Sequence, residues 1–198
     1  MTGRNCCETS SLLRAWRIGR TWKSTVDVHT DPARRIFCWD QRLERLADDA
    51  VIGLFWTFDR RANEYLNIHA RRSGDGGRTW GPLHDTGVPG QPARAVGLTD
   101  GRVVMTYVDR TAAPAIKSRL SKDGGQTWPA NSEIVVHQRA QSKQTVTKHS
   151  MQDAWAEMSA FSIGLPDATL LPDGDVLVVY YTGLDPDHTD IQWARIRV

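Results

Sequence analysis

Three segments of the chain repeat one pattern of polar and apolar positions. In each, a leucine and a short polar turn precede an apolar run, which predicts a strand end, a turn and a second strand. The segments align without gaps at 46–56, 98–108 and 171–181. Asp100-Gly101 and Asp173-Gly174 fill two of the turns, and Asp-Gly between apolar runs is a strong hairpin signal. Asp48-Asp49 fits the remaining turn less well, because its second position favours positive φ. We therefore expect three antiparallel hairpins with two-residue turns.

Around each hairpin the pattern predicts a unit of four strands. We place the strands of the middle unit near 93–98, 102–109, 115–121 and 132–137. The unit before it has strands at 36–46, 51–58, 65–72 and 83–88, and the last has strands at 167–171, 175–182 and 190–197. Four antiparallel strands every ~40–50 residues are typical of a β-propeller blade. A sandwich of short hairpins is the structural alternative.

An octet of the form S-x-D-G-G-x-T-W recurs at one place in two of the units, which a sandwich does not explain. Its copies are Ser73–Trp80 and Ser121–Trp128, and Gly19–Trp22 keeps only G-x-T-W. We expect the aspartates to accept hydrogen bonds from N–H groups of their own turns and the tryptophans to be buried between neighbouring sheets. We assign a structural role to ten octet residues: Ser73, Asp75, Gly77, Thr79, Trp80, Ser121, Asp123, Gly125, Thr127 and Trp128.

These repeats divide the chain into two regions. Residues 1–35 are poorly determined, and we interpret them as the remnant of an earlier blade. Residues 36–198 form the repeat region. Its blades are expected at about 36–88, 89–137 and 163–198, and residues 138–162 form a non-repeating insertion. A short helix is expected around 150–160.

Composition narrows the functional classes. The 198 residues carry a formal net charge of +2 and no basic cluster, which argues against a nucleic-acid partner. No apolar run approaches the ~18–20 residues of a membrane-spanning helix. The sequence start has no apolar core typical of a signal peptide, so we expect a soluble protein of unknown compartment, secreted only if its true N-terminus lies upstream. Three cysteines are too few for a disulfide framework or a zinc site. We expect no metal and no cofactor.

The octet resembles the Asp-box of the sialidase-like β-propellers, and the resemblance covers roughly Arg35 to Val198. Trp39–Arg42 and the stretch from Leu171 to Gly183 are most similar to bacterial exo-α-sialidase-like glycoside hydrolases. The resemblance implies an all-β fold of the six-bladed sialidase type. Closed propellers have ~4–8 blades, so this chain corresponds to an incomplete propeller of about three to four. The Phe-Arg-Ile-Pro-like segment of the family is absent, and we expect its N-terminal blades to be missing.

The resemblance also implies an active site where the first strands of the blades begin and the second strands end. There the family binds a substrate carboxylate with three arginines, since guanidinium groups bind carboxylates bidentately. Its nucleophile is a tyrosine activated by a glutamate, and an aspartate is the acid/base. On this basis Arg42, Arg60 and Arg110 are the carboxylate-binding candidates, with Arg94 in reserve. Tyr181 is the nucleophile candidate (Tyr180 if the strand has the other phase), Glu157 its activator and Asp40 the acid/base, with Asp109 and Asp167 as rivals.

Each assignment has a structural alternative. Asp59-Arg60 and Asp109-Arg110 are alternatively solvated loop ion pairs, which contribute little to stability. Tyr180 and Tyr181 are alternatively one core and one rim aromatic. Glu157 is alternatively a surface residue of the insertion.

Two functional hypotheses follow from the sequence. The first is an exo-α-sialidase-like hydrolase acting on terminal sialic acid or a related acidic sugar, with weak or no turnover if the chain is truncated. The second is a non-catalytic propeller fragment that binds a glycan or a protein. In either case, open propeller edges predict self-association.

Overall fold

The described part of the chain is almost entirely antiparallel β-structure. The computed structural model describes residues 9–16, 21–111, 113–139 and 149–198. Parts of the predicted N-terminal segment, the decayed octet copy and the insertion therefore lie outside the described residues. No helix within the described ranges is long and apolar enough to cross a membrane.

The strands form one hairpin and three larger sheets. The hairpin pairs β1 (Thr9–Trp16) with β2 (Thr21–Thr30). The first sheet contains β3 (Ile36–Arg45), β4 (Val51–Asp59), β5 (Glu64–Tyr65), β6 (His69–Ser73) and β7 (His84–Asp85). The second contains β8 (Gln91–Gly97), β9 (Val103–Asp109), β10 (Ala115–Ser121) and β11 (Ile134–Gln138). The third contains β12 (Ile163–Leu170), β13 (Val176–Asp185) and β14 (His188–Ile196). The helix α1 (Met151–Met158) precedes the third sheet, and a 3₁₀ turn (Ala130–Ser132) precedes β11.

The second sheet has the four predicted strands, the third has the three predicted strands, and the predicted short helix is present as α1. The first sheet has five strands, because the strand predicted over 65–72 is divided into β5 and β6. The third strand of the second unit matches its prediction of 115–121 residue for residue. The fourth strand of the first unit, β7, is only two residues long instead of the six predicted over 83–88. Pro82 and Pro89 flank it, and neither has the N–H that a β-ladder needs.

The hairpin turns differ from the prediction by one residue. Each loop has three residues, because the leucine N–H before the turn donates to a carbonyl four positions on, as Leu98 does to Arg102 at 2.8 Å. Within that loop the N–H of Gly101 donates to Leu98 at 3.1 Å, and Gly101 has a φ of 88°. A tight turn followed by one left-handed residue is the usual three-residue hairpin. Asp49, in the equivalent position, adopts a φ of 64° without being glycine.

The two octets fold into the same hydrogen-bonded turn. In the first, the Ser73 hydroxyl accepts from the Gly77 N–H at 2.8 Å, and Asp75 accepts from the N–H and hydroxyl of Thr79 at 2.9 and 2.8 Å. The second octet repeats these bonds at 2.9, 2.9 and 2.6 Å. The hydrogen bonds from Thr79, with the Ser73 hydroxyl bond, hold the pKa of Asp75 well below its usual range.

The tryptophans of the octets are not equally buried. Trp128 is 4% exposed and lies in the core between the first and second sheets. Trp80 is only half-buried, so the prediction for it was wrong in degree. Gly125 shows why the turn needs glycine: its φ is 85°, and a Cβ there would lie 2.5 Å from Cδ1 of Ile52.

The first strands of the three sheets lie side by side. β8 contacts β3 on one side and β12 on the other. One apolar core fills the space between the first and second sheets and another the space between the second and third. We call β3, β8 and β12 the inner strands. Their arrangement brings their first residues, and the last residues of β4, β9 and β13, to one end of the molecule.

Candidate functional site

Each inner strand carries a β-bulge near its beginning. In all three, two residues of the inner strand oppose one residue of its partner. The bulged pairs are Asp40–Gln41, Ala93–Arg94 and Leu165–Pro166. A bulge bends the strand and changes the direction in which side chains point. The side chains near the start of each inner strand therefore point in directions that a regular strand would not give them.

Arg110 is the cation around which the site is organised. It follows β9, and its Nη1 donates to Oε1 of Gln91 at 2.8 Å while its Nη2 donates to the carbonyl of Ile163 at 2.6 Å. Its guanidinium carbon lies 3.7 Å from the centre of the Phe161 ring. Burial lowers the pKa of Arg110 to about 10, although the Tyr181 hydroxyl beside it opposes this shift. Arg110 therefore stays protonated at neutral pH in a desolvated position.

A chain of hydrogen bonds connects Arg110 to the first inner strand. The side-chain amide of Gln91 donates to Oδ2 of Asp40 at 2.5 Å, and Oδ1 of Asp40 pairs with Arg42 at 2.8 Å. Asp40 occupies the bulge of β3 and has a φ of 48°. The sequence candidates Asp40, Arg42 and Arg110 thus lie in one network, in which Gln91 is the connecting residue.

The helix of the insertion adds a carboxylate. Ser150 begins α1 with a capping box, in which its hydroxyl accepts from the N–H of Asp153 and Asp153 accepts from Ser150. The sequence analysis predicted that Glu157 activates Tyr181. In the structure the tyrosine near Glu157 is Tyr65, whose hydroxyl donates to the carbonyl of Ala154 at 3.5 Å, and burial and the nearby Glu157 carboxylate raise the pKa of Tyr65. Tyr181 lies beside Arg110 instead.

A cavity of about 170 Å³ joins these groups. Six of the residues that line it are Trp56, Tyr65, Gln91, Arg110, Glu157 and Phe161. The cavity therefore has aromatic walls, one desolvated guanidinium and one tyrosine–glutamate pair. Such a combination of an apolar lining and a few polar groups is usual for small-molecule sites.

Gly164 leaves room for the guanidinium group of Arg110. A Cβ at Gly164 would lie 2.0 Å from Nη2 of Arg110 and 3.3 Å from the Tyr181 hydroxyl, and its φ is 151°. The guanidinium therefore occupies the space that any other side chain would fill.

The remaining carboxylate and arginine candidates lie apart from the cavity. Arg60 is exposed, and Asp59 before it pairs with Arg35, whose guanidinium holds the pKa of Asp59 at about 2. Asp109 accepts hydrogen bonds from Lys117 and from the hydroxyl and N–H of Thr111.

Arg94 and Asp167 are exposed, and Arg94 lies 3.9 Å from Glu44. The strand phase also separates the two tyrosines. Tyr180 packs in the core against His137, with ring centres 5.2 Å apart, whereas Tyr181 lies at Arg110.

Trp56, Tyr65, Gln91 and Phe161 are the cavity residues named above to which the sequence analysis gave no role. Gln91 lies at the start of an inner strand, so the strand pattern in the sequence could have placed it at the site. Tyr65 and Phe161 carried no repeat signal. Among the described residues, no three His, Cys, Asp or Glu side chains converge as metal ligands would.

Comparison with known proteins shows the fold. No family model and no curated protein matches the chain. A Dyadobacter fermentans protein of unknown function is 24% identical with a TM-score of 0.66, and the match covers 96% of this chain and 46% of that one. The Hadza microbial sialidase Hz136 is 15% identical with a TM-score of 0.60, covering 96% and 39%. An α-L-arabinanase from Penicillium chrysogenum is 16% identical with a TM-score of 0.52, covering 96% and 56%.

The fold is that of a β-propeller. The sheets match those of the sialidase and of the arabinanase, as the sequence predicted for the fold. The chain spans less than half the length of the first two structures.

Proposed function

We propose that this propeller is a glycosidase of the exo-α-sialidase type, which hydrolyses the bond to a terminal sugar that carries a carboxylate. The observation that carries the proposal is that a desolvated arginine, a tyrosine and a glutamate line the same cavity. The Asp-box resemblance of the octets and the sialidase among the structural neighbours support the same reaction.

Arg110 has the properties of a carboxylate receptor. The Gln91 amide and the Ile163 carbonyl, which accept from its two terminal nitrogens, are neutral oxygens, and the neighbouring Tyr181 is a hydroxyl and not a carboxylate. Its Nε is buried and has no hydrogen-bond partner among the described residues. A carboxylate that reached this donor would form a charge-assisted bond in a medium of low dielectric constant, where such bonds are strong. Arg42 is the proposed second arginine, at the far end of the Gln91–Asp40 network.

Tyr65 and Glu157 are the proposed nucleophile pair. The tyrosine oxygen attacks the anomeric carbon, the bond to the leaving group breaks, and Glu157 takes the tyrosine proton. Once it is released from Arg42 and protonated by solvent, Asp40 gives a proton to the leaving oxygen. In the second step water attacks the anomeric carbon and gives a proton to Asp40, the bond to the Tyr65 oxygen breaks, and Glu157 returns its proton to that oxygen. A neutral hydroxyl suits an anionic sugar, since a carboxylate nucleophile would be repelled by the substrate's own charge. Tyr181, the candidate from the sequence, is the competing nucleophile.

Hydrolysis of a fluorogenic α-sialoside tests the proposal. Arg110→Ala and Glu157→Gln should each reduce kcat/KM by on the order of 10²–10³-fold. Arg110→Lys should remain impaired, because an ammonium group cannot bind a carboxylate bidentately. Arg197→Ala, which removes an exposed arginine on the final residues, is the control and should be unchanged. Equal activity in Arg110→Ala and Arg197→Ala would contradict the proposal.

The two tyrosines are distinguished by trapping. A fluorinated sialoside that accumulates the covalent intermediate should label Tyr65, and mass spectrometry of the peptides identifies the residue. Label on Tyr181 would assign the nucleophile to the residue chosen from the sequence.

The role of Asp40 is tested by the leaving group. Asp40→Asn keeps an acceptor for Gln91 but has no proton to donate. If Asp40 is the acid, the variant should lose more activity on substrates with a poor leaving group than on those with an acidic phenol. An equal loss on both would assign Asp40 to positioning Gln91 and Arg110.

One observation favours glycan binding without turnover. Both oxygens of Asp40 are already held, one by Gln91 and one by Arg42. If the protein is only a binding module, calorimetry should detect sialoside binding that Arg110→Ala abolishes, and no product should form.

A further inference from the structure

An exposed tryptophan and a half-buried one contact each other beside the cavity. Trp155, on α1, is 51% exposed, and its ring centre lies 5.2 Å from that of Trp39 on β3 at an angle of 41°. We call Trp39 and Trp155 the tryptophan platform. An indole ring that stays exposed is unfavourable in water, because its apolar area is not buried.

The platform is held rigidly from below. The Trp39 ring packs against Trp56 at 4.8 Å and lies nearly parallel to Phe58 at 5.9 Å. Ala154, next to Trp155 in α1, is buried against the same aromatic cluster. Because the rings are already fixed, a ligand that covers them would lose little affinity to ordering of the protein.

The platform adjoins the proposed reaction site through the Trp39 ring. Trp39 contacts Trp56 and Tyr65, and both of these residues line the cavity. A ligand that extended from the cavity beyond these two rings would therefore meet the platform.

The size of the cavity requires a larger ligand to extend outside it. At about 170 Å³ it is smaller than the ~300–1,000 Å³ pockets that enclose drug-sized ligands. It has room for about one sugar ring, so any second ring of a glycan must bind elsewhere on the surface.

We propose that the tryptophan platform binds the sugar ring on the leaving-group side of the scissile bond. This inference rests on the proposed function and specifies its substrate class as oligosaccharides. The C–H groups on one face of a pyranose stack on an indole, whose π face is electron-rich, while the sugar hydroxyls stay in water. The platform would thereby favour a glycan over an isolated sugar or a small aglycone.

The test compares a sialylated trisaccharide with free sialic acid by calorimetry, in a Glu157→Gln background that suppresses hydrolysis. Trp155→Ala should weaken binding of the trisaccharide about three- to tenfold and leave binding of the monosaccharide unchanged. Trp155→Phe should recover part of the loss. The control is Trp193→Ala, since Trp193 is 66% exposed but lies on β14.

The outcomes separate the two proposals. If Trp155→Ala binds the trisaccharide as tightly as its parent, the platform inference is wrong and the proposed function is unaffected. If the parent protein binds neither ligand, the proposed function itself fails. An equal loss in Trp155→Ala and Trp193→Ala would also overturn the inference, because proximity to the cavity would then play no part.

Discussion

Substitution of Gly164 by alanine tests how Arg110 is positioned. The new methyl group would lie 2.0 Å from Nη2 and 3.2 Å from Cζ of Arg110. Ordinary contacts between such atoms are about 3.5–4.0 Å. The guanidinium must therefore withdraw by about 1.5 Å, and its 2.6 Å hydrogen bond to the Ile163 carbonyl would be lost.

The expected cost combines three effects. Overpacking of a filled site costs about 1–3 kcal/mol, loss of a hydrogen bond from a charged group costs about 1.5–3 kcal/mol, and alanine at the positive φ of 151° adds about 1 kcal/mol of backbone strain. Since the first two overlap, we expect Gly164→Ala to lower the free energy of unfolding by about 3 kcal/mol. In a chain of this size each kcal/mol shifts Tm by about 2–4 °C, so Tm should fall by about 6–12 °C.

Urea unfolding followed by tryptophan fluorescence measures this change against two controls. Gly87 has a φ of 67° and nothing within 4 Å of the position that a Cβ would take, so Gly87→Ala isolates backbone strain and should cost about 1 kcal/mol. Gly74 has open space and no positive φ, so Gly74→Ala should stay within about 0.5 kcal/mol of the parent. If Gly164→Ala unfolds at the same urea concentration as Gly87→Ala, the position of Arg110 does not depend on the absence of a side chain at residue 164. Activity on the α-sialoside should fall in Gly164→Ala alone.

Three further predictions concern the scaffold. Desolvation raises the pKa of Asp123, but hydrogen bonds from Thr127 and Ser121 outweigh this effect and lower the pKa to about 2. The contribution of Asp123 to stability is therefore present above the ordinary aspartate pKa of 3.8 and is lost as pH falls towards 2. Asp123→Asn should flatten that acidic limb of the curve of unfolding free energy against pH, and an unchanged limb would contradict this. Glu133→Ala should lower the free energy of unfolding by about 2–3 kcal/mol in urea titrations, because it leaves the partners of a charged hydrogen-bond network unpaired; a change below ~0.5 kcal/mol would refute it. Gly125→Ala should cost about 2–3 kcal/mol and Gly101→Ala about 1 kcal/mol by the same assay, since only the first meets another side chain, and equal losses would argue against that contact.

The sheets were predictable because local signals set them. Apolar runs and Asp-Gly turns define each hairpin, and the octet marks where the third strand ends. The three-residue loops were missed because Asp-Gly fits both a two-residue turn and the last two positions of a three-residue loop. The choice depends on the leucine N–H before the turn, which composition does not reveal.

The equivalence of the two Asp-Arg pairs was misleading for a related reason. Continued past its last residue, the gapless alignment of 46–56 with 98–108 equates Arg110 with Phe58, not with Arg60. In the structure Arg110 is half-buried at the cavity, whereas Arg60 is exposed. The alignment of the two hairpins therefore distinguishes Arg110 from Arg60, although both arginines follow an aspartate.

The tyrosine–glutamate pair could not be read from the sequence. Tyr65 lies in a two-residue strand of the first sheet, and Glu157 lies in the helix of a non-repeating insertion. Their contact depends on how α1 packs against Phe37 and Phe58, a tertiary contact without any periodic signal.

The bulges of the inner strands have a consequence for how such a protein can change. Residues paired across an antiparallel ladder lie on the same face, so Trp39 opposite Trp56 and Arg42 opposite Leu54 share a face although they are three positions apart. Removal of a single residue at Asp40–Gln41 would restore a regular ladder that keeps both pairs and would remove only the side chain that the bulge adds. Single-residue length changes at these three points would thus alter the chemistry presented at the pole without disturbing the blades that carry it.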